Sequence, residues 1–349
     1  MAQINKPSDY FNTKLYTGNG GTNNITGVNF QPDFVWLKHR DGTFGHDLYD
    51  AIRGVGKVLN TNNTNAEYTE TDRLTAFNAD GFSLGSEPPT NGNGNLYVSW
   101  NWLGANGTTS NTDGSITSTV SANTTSGFSI VSYTGSGTSS DTVGHGLGAV
   151  PALIIGKNRD SGARSWPVKH KDLSSNNGLF LNLTNAQASP GDGTFANLDN
   201  SSTFGFYSGS NADNVNQSGQ NFIAYCFAEK KGFSKFGSYT GNGSTEGTFV
   251  YTGFKPAFVL TKWSTGSASW YVYDNRRSDN DEGNPQDRYL RPNFANAQGS
   301  DHPGYDFVSN GFKNRNADPD LNVSGRNYIY MAFAEQPLVG TNNIPATAR

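Results

Sequence analysis

The sequence predicts an all-β protein made of three tandem β-sandwich repeats of jelly-roll type, and three observations predict it. The first is composition: only 34% of the 349 residues are hydrophobic and 15% charged, while 42 are Gly. The 22 Phe, 16 Tyr and 6 Trp supply the missing burial, since each ring removes a large area from water. The second is layout, short aromatic runs between Gly/Asn/Ser turns with no sustained 3.6-residue period. The third is an internal repeat. Tyr328 to Glu335 returns as Phe222 to Glu229 and, more loosely, as Tyr97 to Trp102. Gly94, Gly219 and Gly325 lie eight residues before Trp102, Phe227 and Phe333, a fixed spacing that marks a repeated architectural unit.

The elements of the three copies follow in the same order. Each opens on Tyr-Thr-Gly, at Tyr16-Thr17-Gly18, Tyr133-Thr134-Gly135 and Tyr239-Thr240-Gly241, a strand end running into a glycine turn. A second strand enters through Pro32, Pro151 and Pro256, where no ladder N–H is needed, and lysine follows six residues later at Lys38, Lys157 and Lys262. Phe34, Leu153 and Phe258 share a face with Trp36, Ile155 and Leu260 by period-two geometry. A third strand carries His46 to Asp50, Trp166 to His170 and Trp270 to Asp274. A fourth region leads through Leu59-Asn60, Leu181-Asn182 and Leu290 to Asn293 into Asn65-Ala66-Glu67, Asn185-Ala186-Gln187 and Asn296-Ala297-Gln298. The last strand pair begins at Gly81-Phe82, Gly205-Phe206 and Gly311-Phe312, and the closing strand completes the core of its own sandwich.

These landmarks divide the chain into a leader and first repeat (1–102), a Gly/Ser/Thr/Asn-rich linker (103–127), a second repeat (128–233), a third (234–335) and a polar tail (336–349). The linker composition reads as flexible or extended, whereas the second and third repeats join tightly through Lys230 to Phe236 and are expected to be rigid relative to each other. A formal charge of −4 argues against nucleic acid as a partner, because such binding rests on clustered Lys and Arg. The single Cys226 excludes an intramolecular disulfide and a cysteine-based zinc site, and its place in the repeated strand suits a packed thiol. The first residues lack the apolar core of a signal peptide, and no run reaches transmembrane length, so no membrane insertion is expected.

Four stretches resemble a repeat-domain family of tailed-bacteriophage virion structural proteins, common in marine-type phages and often labelled tail fibre. They are Lys6 to Thr13 leading into the first Tyr-Thr-Gly, Gln31 to Leu37, Asn111 to Ile116 through Phe128 to Val131, and Val143 to Gly148. Together they mark most of residues 1–160, and the internal repeat extends the match to Glu335, although the third copy lacks the His-Gly-Leu-Gly turn. The resemblance implies a protein assembled into the virion in the host cytoplasm, with other tail or capsid proteins as partners. It brings no catalytic or ligand residues with it. The expected role is a tail fibre or tail-tip adhesin contacting the host surface. The alternative is a capsid decoration protein, and the remote alternative a glycan depolymerase. A homo-oligomer is expected, a trimer first.

Candidate chemistry is weighed against the repeat, which acts as an internal control: residues in all copies build the fold, and residues peculiar to one are free for function. Lys38, Lys157 and Lys262 belong to the first kind, and are expected to run their stems along apolar surface. Asp50 and Asp274 match each other but copy two has His170, so nothing sets two carboxylates apart as a glycosidase pair. No enzyme activity, metal or cofactor is expected. Asp279 to Gly283 and Asp318 to Asn322 alternate acidic oxygens but do not continue into a calcium loop, so solvated turns are expected. His145, flanked by Gly144 and Gly146, suits a tight turn. Trp263, Trp270 and Tyr271 are the candidate glycan-binding residues, because aromatic faces stack on sugar rings. Trp270 shares its position with Trp166, which favours a core role for it over sugar binding; Trp263, for which the two readings balance, aligns nearest to Arg40 and Asn158, with no ring in the other copies.

Overall fold

Each repeat folds into two antiparallel sheets, and the strand order of the principal sheet is the same three times. In the computed structural model, which describes residues 3–188, 194–207, 212–278, 283–300, 304–340 and 345–346, that sheet runs opening, closing, middle, outer. The opening strands are Phe11–Thr17, Phe128–Thr134 and Ser234–Thr240. The closing strands are Leu96–Trp102, Asn221–Phe227 and Asn327–Pro337. The middle strands are Phe34–His39, Leu153–Asn158 and Phe254–Trp263, and the outer strands His46–Asp50, Pro167–His170 and Trp270–Asp274. A smaller sheet of three short strands covers one face of each: Asn23–Thr26, Gly81–Leu84 and Leu74–Asn78 in the first repeat. Its counterparts are Thr142–Gly144, Thr203–Tyr207 and Thr194–Phe195, then Phe249–Tyr251, Gly311–Asn314 and Tyr305–Val308. The fold is thus all-β, as the sequence predicts.

The fixed glycine-to-aromatic spacing has a local cause. Gly94, Gly219 and Gly325 hold φ of +77°, +74° and +77°, a left-handed conformation that only glycine adopts without cost, and they turn the chain into the closing strand. The strand then carries Trp102, Phe227 and Phe333, and these three rings meet. Their centroids are 6.2 Å (Trp102–Phe227), 5.5 Å (Trp102–Phe333) and 6.0 Å (Phe227–Phe333) apart. One ring from each repeat forms a triangle on a pseudo-threefold axis, and each contact contributes about 0.5–1.5 kcal/mol beyond area burial.

Here the structure corrects an expectation. Phe34 and Trp36 do share a face with their counterparts, but that face points out of its own sandwich, into a core common to all three repeats. The sandwich interiors are filled by the alternate residues, Val35 and Leu37 in the first repeat, Ile154 in the second and Val259 in the third. The closing strands likewise send Trp100, Tyr225 and Met331 to the common core, and Tyr97, Phe222 and Tyr328 to their own. Both faces of the middle strands Phe34–His39 and Leu153–Asn158 are therefore buried throughout. A sandwich cut out alone would expose a continuous apolar face.

Residues 103–127 are not a free tether. Thr109–Asn111 and Ser118–Asn123 form two strands, the second paired with the opening strand of repeat two from Ser118↔Tyr133 to Asn123↔Phe128. Alternate small polar residues make poor core but adequate edge strands, because backbone pairing needs no large side chain. Cys226 is buried opposite Ser129 and Ile154, where desolvation pushes its thiol pKa up, as suits a packed rather than a reactive thiol.

Candidate functional site: the repeat junctions

The residues that recur in every copy converge on the three places where one repeat meets the next. The Asn-Ala-Glu/Gln motif supplies the clearest case. The backbone N–H of Glu67 donates to Arg159 O at 2.8 Å, that of Gln187 to Ser264 O at 2.7 Å, and that of Gln298 to Arg40 O at 2.6 Å. Repeat one thus reaches repeat two, two reaches three, and three returns to one. Three equivalent bonds with cyclically permuted owners define a closed ring rather than a string of domains. Side chains reinforce two of them: Arg159 is bidentate on Glu67 at 3.0 Å, and Arg40 Nε donates to Gln298 Oε1 at 2.9 Å.

The recurring tryptophans work the other way round the ring. Trp166 Nε1 donates to Asn60 O at 2.9 Å, and Trp270 Nε1 to Phe180 O at 3.0 Å, each into the preceding repeat. The lysines that recur in the three copies are fully buried, contrary to the surface-stem expectation. Lys157 Nζ donates to Thr64 O of the first repeat at 2.9 Å, and Lys262 Nζ to Thr184 O of the second at 3.2 Å. Lys38 bonds within its own repeat, to His39 O and Gly42 O. Burial pulls the pKa of Lys38 and Lys157 down to about 7 and that of Lys262 to about 8.

Asp50, His170 and Asp274, weighed above as catalytic candidates, are the polar centres of these junctions. Asp50 pairs with Arg53 at 2.5 Å and accepts Tyr225 Oη of repeat two at 2.8 Å. Asp274 pairs with Arg277 at 2.6 Å and accepts Trp100 Nε1 of repeat one at 2.9 Å, with the Arg277 guanidinium 5.5 Å from the Trp100 ring centre. All four charged side chains are inaccessible, so neither carboxylate can meet a sugar. His170 faces repeat three, with Nε2 3.2 Å from Tyr330 O, while its Nδ1 accepts the Asp172 N–H.

The glycan candidates fare less well. Trp270 and Tyr271 are 2% and 4% exposed, so neither offers a face to a sugar, and the Tyr271 hydroxyl donates to Asp320 at 3.2 Å. Trp263 is half-buried and already stacked: the Arg326 guanidinium lies 3.8 Å from its ring centre. Register places Trp263 with His39 and Asn158, opposite Tyr328, Tyr97 and Phe222, one residue away from the Arg40 alignment. A ring therefore does stand there in the first repeat. In the turn at Asp318, the carboxylate of Asp318 accepts the Asp320 N–H and that of Asp320 the Tyr271 hydroxyl. Residues 279–282 lie outside the described residues, among which no cluster of three His, Cys, Asp or Glu is arranged for a metal. His145 is a buried turn residue whose Nδ1 accepts the Leu147 N–H.

Taken together, the junctions make this a single-chain pseudo-threefold ring of β-sandwiches. The chain belongs to the family DUF7483, described as a domain of unknown function, whose model matches residues 6–337. No curated protein and no solved structure matches the chain. The family match spans all three repeats and stops at the end of the third closing strand, so the family's unit is the whole ring.

Proposed function

We propose that this protein is a bacteriophage virion structural protein, a non-enzymatic tail fibre or tail-tip adhesin that contacts the host surface. The observation that carries the reading is the division of labour within the ring. Residues shared by the copies serve to close it, and some that are peculiar to one copy, such as Phe249 and Tyr251 at 45% and 58% exposure, face outward on a sheet edge, as suits a rigid body that displays variable contacts. The resemblance of residues 1–160 to virion proteins supplies the class. Oligomerisation, with a trimer as the proposed state, is then an association of whole rings, since the threefold arrangement of sandwiches is complete within one chain. A capsid decoration protein is the second reading, favoured by the same ring, whose shape fits a three-way contact between capsomers.

Gel densitometry of purified particles separates the two. A tail fibre gives a few tens of copies per particle at most, and a decoration protein gives hundreds. Absence of the chain from purified particles would sink both readings.

A further inference from the structure

The internal control points to a place that the sequence comparison did not single out. In each smaller sheet one residue ends the edge strand, next to a buried aliphatic side chain: Thr26 after Ile25 and opposite Gly81, Gly144 after Val143 and opposite Thr203, and Tyr251 after Val250 and opposite Gly311. Only the third repeat places a ring there. Phe249, two residues earlier on the same face, stands where the first repeat has Asn24. Phe249 and Tyr251 are 45% and 58% exposed, while Val250 between them is buried in the sandwich. Two neighbouring exposed rings on an edge strand contribute nothing to the core, so the fold does not explain them.

Tyr251 also borders a groove of about 620 Å3, which runs between the strand edge and the segment joining repeats two and three. Lys230, Lys231, Lys235, Glu229 and Gln3 line it, three ammonium groups to one carboxylate. Lys235 is tied to Glu229 at 2.6 Å, but Lys230 and Lys231 have no carboxylate partner among the described residues. Burial lowers the Lys230 pKa, as befits an ammonium group partly stripped of water and not neutralised. A second groove, about 600 Å3 between the 103–127 segment and the Gly146–Gly148 turn of repeat two, has neither lysine nor ring in its lining.

We propose that the Tyr251 groove binds an acidic polysaccharide, with the Tyr251 ring stacked on a pyranose face and Lys230 and Lys231 receiving its carboxylate or phosphate groups. The inference deepens the adhesin reading by naming its ligand class. Aromatic faces suit the C–H surface of a sugar, and uncompensated ammonium groups select the anionic ones against neutral polymers. Carboxylate and phosphate share this chemistry.

The test uses the purified full chain in titration calorimetry at low salt, with an oligoguluronate, a phosphorylated mannan and dextran as probes. Binding to one or both acidic probes and none to dextran is the expected result, and which acid binds identifies the group. Tyr251→Thr installs the residue that the first repeat carries at that position, so it keeps the fold, and it is expected to weaken binding at least tenfold. Lys231→Glu, at an exposed position, is expected to do the same, whereas Phe44→Ala, a partly exposed ring elsewhere, leaves affinity unchanged. Equal affinity for dextran, no binding to either acid, or wild-type affinity in Y251T or K231E overturns the proposal. Failure here with the chain present in particles removes this inference alone; a chain that binds the acid but is absent from particles removes the virion reading instead.

Discussion

Two of the three junctions are ionic and the third is not, and the difference follows what the neighbouring repeat offers. Repeat one presents Asp50 and Arg53 to Tyr225, and repeat three presents Asp274 and Arg277 to Trp100. Both partners bring an O–H or N–H donor to the junction. At the equivalent position repeat three brings Met331, which has none, and there repeat two carries His170 and Leu173 instead of the Asp-Arg pair. The histidine then finds the backbone carbonyl of Tyr330. A buried carboxylate is retained where its arginine and a second donor satisfy it, and is replaced where the second donor is missing. The ring thus keeps one geometry with two chemistries.

The largest expected effect comes from breaking an ionic junction. Asp274→Ala leaves the Arg277 guanidinium buried without its partner, which costs about 3–5 kcal/mol of stability, and Asp50→Ala costs less, because Arg53 keeps Glu67 at 3.2 Å. His170→Ala removes two neutral hydrogen bonds, one of them across the junction, and costs about 1–3 kcal/mol. Denaturant unfolding of the three variants side by side checks the ranking. Equal losses at all three positions would mean that the charge at the junction is immaterial. The comparison sharpens if the neutral junction is transplanted: Asp274→His with Arg277→Leu and Trp100→Met should recover much of what D274A loses.

The repeat was legible in the sequence because it is carried by local geometry. A left-handed glycine at Gly94, Gly219 and Gly325 fixes the start of each closing strand whatever surrounds it. The common core was not legible, because alternation predicts one buried face and these strands have two. Phe34 and Val35 are both buried, against different neighbours, and nothing in their spacing says so. Asp50 and Asp274 were matched correctly but left without a role, since their partners Tyr225 and Trp100 lie in another repeat, 175 and 174 residues away. The segment 103–127 was misjudged because Ser118–Asn123 pairs through its backbone, which composition does not reveal. The Tyr251 groove was within reach: aligning the residues after Ile25, Val143 and Val250 exposes a lone tyrosine against Thr26 and Gly144, but that register comes from the folded sheet.

A smaller effect separates the junctions by pH. His170 is held neutral: Nε2 must donate to Tyr330 O while Nδ1 accepts the Asp172 N–H, so a second proton would set two N–H groups against each other. Desolvation is the main cause of its pKa falling to about 4; Asp172 and the Tyr330 carbonyl oppose that fall, and Lys171 adds to it. Between about pH 6.5 and 4 the unfolded chain therefore binds more protons than the folded one, and stability falls as pH falls through that window, by on the order of 2 kcal/mol. His170→Gln keeps a donor for the Tyr330 carbonyl and loses the titration. Its acid limb should be flatter than that of the wild type in thermal melts from pH 7 to 4. Parallel limbs would assign the acid sensitivity to His46 and the other buried histidines.

The smallest effect lies on the alkaline side, at the lysine that bridges the first two repeats. The folded-state pKa of Lys157, about 7, is below its unfolded value near 10.5, because burial penalises the ammonium form. Above pH 7 the unfolded chain binds more protons than the folded chain, so stability rises with pH, by about 1 kcal/mol over the first unit. Lys157→Met cannot titrate and leaves the carbonyls of Thr64 and Arg164 without their donor. Its stability relative to wild type should therefore worsen steadily from pH 7 to 9. Lys38→Met loses the same titration but touches only its own repeat, through His39 O and Gly42 O. If Lys157 acts as an inter-repeat tie, amide hydrogen exchange in K157M quickens at Glu67, whose N–H crosses to Arg159, and in K38M it does not. Identical protection of that amide in both variants would make the lysine a filler of its own loop and leave the closing of the ring to the backbone alone.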